Sequence, residues 1–522
     1  MNTLTTALIR CTLTNGTLAR VTLPGALAAL MRDEVATFAA LRPHQRHAWH
    51  AFLAQLGTVA LLRAGAAAPP QDEGGWCALL RALTPEHADD APWCLVAPPD
   101  RPALLQPPLP GGHLSGLKNS VATPDALDML VTSKQHDLKA GVMAAAGADD
   151  WLFALVTLQT MEGFLGAGNY GISRMNGGFA NRPAIGLAPP GGPGAHLKRD
   201  IARLLAMQGR PPLSEGYAER DGLALVWLLP WDGVASLSRS VLDPLYIEVC
   251  RRVRLLEVAG QIAARVGGSK AARIAPPPGG VTGDPWTPIR RDKDGQKALT
   301  VDACGFGYRP LVKLLFPRNG DPAPLQIAAV DDAGAGLALV ARALVRGQGK
   351  TEGYHERRVA LSRIVKRRAV ITPTDPAAQA AHDRVRLAGE MARTLRFALL
   401  VLFENGPDKV KQDNDAALNK AKPFQARFER AVDLTFFDDL GDEMAEDDQD
   451  RRSARRDSWV QGLLDHADEL LAAADQAAAK ASHRRYRARV AARAALHGAV
   501  RRNEYLRGHL PPSKPEESDD AA

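Results

Sequence analysis

Hydrophobic and polar residues follow two different patterns along the chain, and the pattern changes near residue 376. Before that point, short apolar runs are separated by many glycine and proline residues, which is typical of strands, short helices and turns. After it, glycine and proline are rare, and apolar residues recur every three or four positions. The chain is therefore predicted to be α+β: a large irregular mixed α/β domain (1–375), an antiparallel four-helix bundle (376–510) and a disordered tail (511–522).

Four amphipathic stripes predict the bundle helices, and they begin near Leu387, Phe424, Trp459 and Tyr486. In each stripe the apolar residues share one helix face, which is expected to point into the bundle core. The stretch 438–450 contains eight acidic residues and is predicted to be a solvated connection.

In the mixed α/β domain, the hydrophobic pattern predicts secondary structure less clearly than in the bundle. Short strands are predicted over residues 4–23 around the turn Asn15-Gly16, and a helix is predicted from about Gln45. Three arginines within Arg251–Arg254 alternate with apolar residues, which predicts a strand with one solvated face. The apolar run Leu311–Leu315 is also predicted to be a strand.

Composition narrows the function. The 522 residues carry a net charge of +7, which makes a polyanionic partner plausible. The five cysteines are far apart and odd in number, which argues against a disulfide framework and favours a reducing cytoplasm. The N-terminus alternates polar and apolar residues, and no segment has the length and hydropathy of a membrane span, so a soluble protein without a membrane partner is predicted.

A glycine-rich stretch is the most unusual feature of the sequence. It follows the apolar run Trp151–Leu158 and contains six glycines: Gly163, Gly166, Gly168, Gly171, Gly177 and Gly178. Because glycine has no Cβ, its backbone can approach another molecule closely. The stretch is either a long surface loop with several turns or a backbone surface that lies against nucleic acid.

The tripeptide Gly349-Lys350-Thr351 resembles the end of a phosphate-binding P-loop. That motif requires another glycine five residues before Gly349, where this chain has Leu344, and an apolar helix start should follow. ATP binding is therefore disfavoured. The alternative is an exposed β-hairpin tip, in which Gln348, Lys350 and Thr351 supply donors for base edges or phosphates.

The histidines His44, His47 and His50 raise the possibility of zinc. Two of them could share a helix face, but the third lies well round the helix and no HExxH glutamate is present, so capping and surface packing are favoured. No catalytic motif stands out, and neither an enzyme, a metal nor a cofactor is predicted. The alternative is a nucleotide- or metal-dependent hydrolase that uses Gly349-Lys350-Thr351 or the histidines, and a third interpretation is a scaffold that bridges other proteins.

The last predicted helix is strongly basic. Residues 480–510 contain nine lysines and arginines and one acid. Such a helix is either a solvated face or a surface for a phosphate backbone, and the candidates for the latter are Arg484, Arg485, Arg487 and Arg489.

Six stretches, taken in order, resemble the CasA family, which is the large subunit of the type I-E CRISPR surveillance complex Cascade. These stretches are RPHQRHAWHAFL (42–53), TPDALDMLVTSKQHDLK (123–139), MEGFLGAGNYGISRMNGGFANRP (161–183), DPLYIEVCRRVRL (243–255), TGDPWTPI (282–289) and GQGKTEGYHERR (347–358). The resemblance spans most of the chain.

The resemblance implies a non-catalytic protein at the 5′ end of the crRNA. Such a protein finds the protospacer-adjacent motif of double-stranded DNA, largely through the minor groove, and opens the duplex with a wedge hairpin. The implied partners are crRNA, double-stranded target DNA, a helicase–nuclease and the other Cascade subunits, namely the backbone, small and crRNA-end subunits.

The resemblance also assigns residues by position. The DNA-reading glycine loop corresponds to Gly166, Gly168 and Asn169, with Gly171 adjacent. The wedge hairpin corresponds to Gln348, Gly349, Lys350, Thr351 and Glu352.

Two further assignments complete the implied site. The loop that anchors the subunit near the crRNA handle corresponds to Lys134, Gln135, His136 and Asp137. The basic residue of the minor groove is either Lys270 or Arg273. Some members carry a zinc-like cysteine cluster before the Asp284 turn, which this chain lacks, so the resemblance implies no metal.

Overall fold

The structure is a computed structural model, and the part that it describes comprises residues 1–128, 146–178, 180–211, 213–332, 336–347, 350–361, 375–404, 406, 410–477 and 483–511. The chain forms two compact units, of which the first contains Met1–Phe306 and Pro317–Ala360 and the second contains Gly307–Phe316 and Leu361–Ala522. The predicted fold class, a mixed α/β region followed by a helical bundle, is confirmed. The boundary at 375 and the tail stay predictions, because 362–374 and 512–522 lie outside the described residues.

The first unit is built round two buried helices. Its described α-helices are α1 (Leu23–Met31), α2 (Arg46–Ala64), α3 (Glu73–Ala82), α4 (Pro124–Leu127), α5 (Ala148–Met161) and α6 (Pro193–Ala206). Helices α2 and α5 are apolar on nearly all sides and pack against each other, as expected for helices inside a core. The rings of Trp49 and Phe153 meet edge to face at 4.9 Å in this contact.

The strands of the first unit form small sheets rather than one large one. The predicted hairpin at Asn15-Gly16 is confirmed: β1 (Ile9–Leu13) pairs with β2 (Leu18–Val21) and with β3 (Val35–Phe38). A second sheet has the order β4 (Asn119–Val121), β9 (Gln261–Gly267), β8 (Arg252–Val258). The others contain β6 (Leu223–Leu225) and β7 (Leu242–Ile247); β11 (Gly295–Ala298), β10 (Ile289–Asp292) and β12 (Gly320–Asp321); and β14 (Lys350–Ala360), β13 (Ala338–Gly347) and β5 (Ala184–Ala188).

The predicted basic strand is β8, but the prediction of its solvated face was wrong. Arg251 and Arg254 are buried, and Arg252 is half-buried. The Arg254 guanidinium donates to the carbonyl oxygens of Ala97, Pro98, Arg101 and Gln106. Buried carbonyls outside regular secondary structure need such donors, and burial lowers the pKa of Arg254 to about 10.

The second unit is the predicted antiparallel bundle. Its helices are α7 (Tyr308–Leu315), α8 (Pro376–Phe403), α9 (Asp415–Ala445), α10 (Gln449–Ala477) and α11 (His483–Arg502). Arg384 near the start of α8 bonds Glu443 near the end of α9 at 2.8 Å, so these helices run in opposite directions. Arg485 at the start of α11 bonds Asp475 at the end of α10 at 2.8 Å, which shows the same relation.

Two predictions in this unit were wrong. Leu311–Leu315 is helical rather than extended, because a short apolar run does not distinguish a strand from a buried helix. Most of the acidic stretch 438–450 belongs to α9 and α10 rather than to a loop, and Glu443 is a core residue that bonds both Arg384 and Arg456.

The absence of a disulfide framework, which the cysteine spacing predicted, agrees with the structure. All five cysteines are free thiols, and burial raises the pKa of Cys250 to about 11. Among the helices of the described ranges, none has both the length and the hydropathy needed to cross a membrane.

Candidate nucleic-acid interface

The described residues of the glycine-rich stretch form a loop between α5 and β5, and backbone hydrogen bonds join its two arms. Gly163 N donates to Ala180 O at 3.0 Å, and Phe164 N donates to Gly178 O at 3.0 Å. A Cβ on Gly171 would lie 2.6 Å from the carbonyl carbon of Gly163. Gly171 is therefore a glycine because the arms pack closely, and since it is partly exposed, its assignment to the nucleic-acid surface stays a prediction.

The tip of the loop presents bare backbone. Gly166 and Gly168 have φ of +110° and +84°, values that L side chains rarely adopt, and they bracket the exposed Ala167. Asn169 is exposed and its N–H donates to Gly166 O at 2.9 Å, which closes a tight turn. A Cβ on Gly166 would meet nothing within 4 Å, so the free space here faces outward.

The tip is joined to the segment that follows β9. Ser269 N donates to Gly168 O at 2.9 Å, and a Cβ on Gly168 would lie 3.5 Å from the Cα of Gly268. The next residue, Lys270, is exposed, and its backbone N–H bonds Gly233 O at 2.6 Å. The structure therefore brings together two predicted parts of the site that are about a hundred residues apart in sequence, the glycine tip and a basic side chain.

Arg273, the other basic candidate, is a buried residue. It is 4% exposed, its guanidinium donates to Leu229 O at 2.9 Å, and it lies over the ring of Trp231. Burial lowers the pKa of Arg273 to about 10. The assignment of Arg273 to the minor groove is corrected, because its donors are used on backbone carbonyls inside the unit.

The predicted wedge is the end of the β13–β14 hairpin. Gly347 pairs with Lys350 across the two strands, and Gln348 and Gly349 at the turn lie outside the described residues. Lys350-Thr351 begins a strand and not a helix. The P-loop hypothesis was therefore wrong, since that motif places its lysine and threonine at a helix N-terminus.

Only part of the wedge is accessible. The Lys350 side chain is 48% exposed and forms an ion pair with Glu352 at 2.6 Å. Thr351 is 6% exposed, because alternate residues of a strand point to opposite faces. Thr351 is corrected from a nucleic-acid contact to a residue of the hairpin's inner face.

A buried polar cluster lies beneath these loops. Arg346, near the end of β13, bonds Glu162 at the start of the glycine loop at 2.9 Å, and both side chains are almost fully buried. The same guanidinium donates to Asp128 O at 2.9 Å, and Asn181 donates to Glu162 at 3.3 Å. Burial raises the pKa of Glu162, and Arg346 opposes this effect. We call Asp128, Glu162, Asn181 and Arg346 the hub, because it connects the glycine loop, the wedge hairpin and the end of α4.

The predicted crRNA-handle loop follows the hub residue Asp128 in sequence. Its residues, Lys134, Gln135, His136 and Asp137, lie outside the described residues. Their role stays a prediction.

The three histidines do not form a shared metal site. Each meets a different partner: His44 meets Asp128 at 2.7 Å, His47 meets Asn181 at 3.3 Å and His50 meets Asp200 at 2.9 Å. Burial lowers the pKa of His47 to about 3, so this imidazole is neutral. The hydrolase hypothesis built on the trio is wrong, as is the expectation of surface packing for His44 and His47.

Sequence reasoning missed the residues that hold the loop in shape. The Arg174 guanidinium lies 3.8 Å from the centre of the Tyr246 ring, and Arg182 bonds Asp284 through two nitrogens at 2.5 and 2.6 Å. These charges are buried, whereas the sequence only showed polar residues among glycines. The sequence held no local signal for the Arg182–Asp284 pair, because its two members are 102 residues apart.

Some arginines of the basic helix α11 are exposed, and Arg485 is paired with an acid of the neighbouring helix. Arg484 and Arg487 are exposed, and the Arg489 side chain is 60% exposed. The Arg485 side chain is 17% exposed and bonds Asp475. Arg485 is therefore corrected from the basic face to the contact between α10 and α11.

The fold and site define a class of protein: a mixed α/β unit with surface loops over a buried polar hub, followed in the chain by a helical bundle. No protein-family model and no curated protein matches the sequence. The structural comparisons are specific. The structure of Thermus thermophilus CasA (Cse1) is 17% identical, with a TM-score of 0.63 over 96% of this chain and 98% of that chain.

Two further solved structures agree. Cse1 of Thermobifida fusca is 15% identical, with a TM-score of 0.64 over 96% of this chain and 98% of that chain. A chain of a CRISPR RNA-guided surveillance complex is 14% identical, with a TM-score of 0.58 over 95% of this chain and 99% of that chain. This protein therefore has the Cse1 (CasA) fold along nearly its whole length.

Proposed function

We propose that this protein is the large, non-catalytic subunit of a type I-E CRISPR Cascade complex and that it recognises a short motif in double-stranded DNA. The sequence resemblance and the Cse1 fold support this assignment. The observation that carries it is the bond from Ser269 N to Gly168 O, which holds an exposed glycine tip beside Lys270. The partners in this proposal are crRNA, target DNA, the other Cascade subunits and a helicase–nuclease.

The glycine tip is suited to the minor groove. That groove is narrow, about 6 Å wide, and its base edges distinguish mainly A·T from G·C pairs. A backbone without side chains at Gly166 and Gly168 can approach those edges closely. Lys270 supplies the positive charge that a narrow, electronegative groove attracts.

The β13–β14 hairpin, which the hub joins to the base of the glycine loop, acts as the wedge. Insertion between base steps costs a few kcal/mol of unstacking, so the inserted element must be rigid and well anchored. Paired strands and the Arg346–Glu162 contact provide that anchoring. Once a few pairs are open, guide pairing proceeds as a near-balanced strand exchange, by the logic known for another RNA-guided effector. Arg484 and Arg487 on the bundle are then available for a DNA backbone.

The Lys270→Ala variant tests the contact with DNA. In the assembled complex, target affinity should fall at low salt, and the slope of log affinity against log salt concentration should decrease by about one. The matched control is Lys293→Ala, which removes an exposed lysine from the β10–β11 turn. Equal salt slopes for the wild type and Lys270→Ala would contradict the contact, and no salt-dependent DNA affinity at all would favour the scaffold interpretation.

The Lys350→Ala variant tests the wedge. We expect duplex opening to slow by roughly tenfold, the effect of about 1.4 kcal/mol on a barrier. R-loop formation followed by a fluorescent base analogue next to the motif measures this rate. The defect should disappear on a target with mismatches at the first pairs, because that duplex is already open. A defect of the same size on both targets would place Lys350 outside the opening step.

A further inference from the structure

A second polar cluster lies in the first unit and has no part in the proposed DNA contacts. It joins His50 of α2 to His196 and Asp200, which are four residues apart on α6 and so share one helix face. Asp200 Oδ2 lies 2.9 Å from His50 Nε2 and 3.5 Å from His196 Nε2. The two imidazole rings are stacked with centroids 4.1 Å apart.

These distances suit a small tetrahedral ion. One donor atom from each residue lies within 4.8 Å of the other two. Zinc bonds of about 2.0–2.2 Å to nitrogen and oxygen place two ligands of a tetrahedron roughly 3.3 Å apart. The two measured separations from Asp200 fall on either side of that value, and the imidazole donor atoms lie within 4.8 Å of each other. The stacked rings must turn toward a common point to complete the tetrahedron.

His196 has a ring nitrogen that forms no hydrogen bond with the described residues. This atom, Nε2, is buried. A buried polar nitrogen without a partner costs about 1–3 kcal/mol, and a metal ion removes that cost.

The surrounding groups resemble the outer shell of a metal site. Trp286 Nε1 lies 3.3 Å from Asp200 Oδ2, and Arg199 donates to Asp200 Oδ1 at 3.2 Å. Such bonds orient a ligating carboxylate. The positive charge of Arg199 would repel a metal ion at Asp200. Arg199 also pairs with Asp332 at 2.9 Å, so two carboxylates offset the charge of this one guanidinium.

We infer that His50, His196 and Asp200 form a zinc site that fastens α2 to α6. Two imidazoles and a carboxylate are hard-to-borderline donors of the kind that zinc accepts, and a water molecule can supply the fourth position. The three side chains are 13%, 13% and 0% exposed. We assign the site a structural role, although a water completes its shell, because its buried ligands join two helices that pack against each other. This inference does not depend on the proposed DNA function.

Metal titration of the purified full chain tests the site. After chelator treatment, one equivalent of Zn²⁺ should bind and raise the thermal midpoint. Co²⁺ alone should give the visible absorption of a tetrahedral nitrogen–oxygen site. The His196→Asn variant should lose this band and the thermal shift. The control His113→Asn changes an exposed histidine outside the cluster, and it should keep both the Co²⁺ band and the thermal shift.

Two further measurements remain informative even if the His196→Asn variant misfolds. Trp286→Phe keeps all three ligands but removes the bond to Asp200, and it should weaken zinc affinity by roughly 10- to 100-fold. X-ray absorption of the wild-type chain needs no variant and should show nitrogen and oxygen neighbours only. Sulfur neighbours, substoichiometric zinc, or a Co²⁺ band that survives in His196→Asn would overturn the inference.

Discussion

Replacing Gly168 with aspartate lowers the affinity of the assembled complex for its double-stranded target by roughly 100-fold, because like charges placed together at an interface cost several kcal/mol. Gly168 lies at the exposed tip and is bonded to Ser269. In our proposal the phosphates of the minor groove pass close to this point. Gly168→Asn has the same shape without the charge, so it should lose less affinity than Gly168→Asp.

The charge effect must be separated from backbone strain. Gly168 has φ of +84° and Gly260 has φ of +76°, and a Cβ on Gly260 would meet nothing within 4 Å. Gly260→Asp therefore carries comparable positive-φ strain at the turn between β8 and β9, the opposite end of β9 from Gly268. It lacks the 3.5 Å contact with Gly268 that a Cβ on Gly168 makes, and Gly168→Asn reproduces that contact. Complex assembly, measured by size-exclusion chromatography, should be normal for all three variants. If Gly168→Asp binds target as tightly as Gly260→Asp does, the glycine tip does not contact DNA.

Replacing Arg346 with methionine destabilises the first unit by about 3–5 kcal/mol, the usual cost of removing one partner of a buried ion pair. The variant leaves the Glu162 carboxylate buried without its cation. Burial already raises the pKa of Glu162. The part of the penalty that comes from the Glu162 charge is therefore absent below the ordinary glutamate pKa and grows as the pH rises, since the charged form is the one that burial disfavours. The lost bond to Asp128 O costs the same at every pH.

Urea unfolding followed by tryptophan fluorescence measures this loss in the correct unit. Seven of the eight tryptophans belong to the first unit, and Trp459 is the exception. The control Arg291→Met breaks an exposed pair with Asp321, and it should cost less than about 1 kcal/mol. The double variant Arg346→Met/Glu162→Met should recover most of the lost stability, because it leaves no unpaired charge. A loss no larger than that of Arg291→Met would show that the hub is not a stabilising contact.

The two predictions distinguish a residue that contacts DNA from a residue that stabilises the loops. Gly168→Asp should weaken DNA binding and should change the free energy of unfolding no more than the strain control Gly260→Asp does. Arg346→Met should affect both, because the hub positions the glycine loop and the wedge hairpin together. This difference follows from burial: Gly168 is partly exposed at the tip of its loop, whereas Arg346 is buried.

Local patterns were sufficient for the elements whose signal is contained in neighbouring residues. The helices α8–α11 and the Asn15-Gly16 hairpin were predicted correctly, since helix periods and tight turns depend on spacings of a few residues. The predicted inward face of α11 was wrong: Tyr486 and Val490 are 63% and 51% exposed, and the buried residues are Ala488, Ala492, Leu496 and Val500. The glycine tip was also visible in the sequence, because positive φ strongly favours one residue type. The run Leu311–Leu315 was too short for its period to distinguish a helix from a strand.

By itself, then, the sequence determined the fold class, the bundle and the segments from which the site is built. Only the tertiary structure decided which side chains face outward, and this separated Lys270 from Arg273, Lys350 from Thr351 and Arg484 from Arg485. It also brought Glu162 to Arg346, and His50 to His196 and Asp200, across more than 140 residues. The physical reason is that burial and pairing of a charge depend on distant segments of the chain, which no local spacing records.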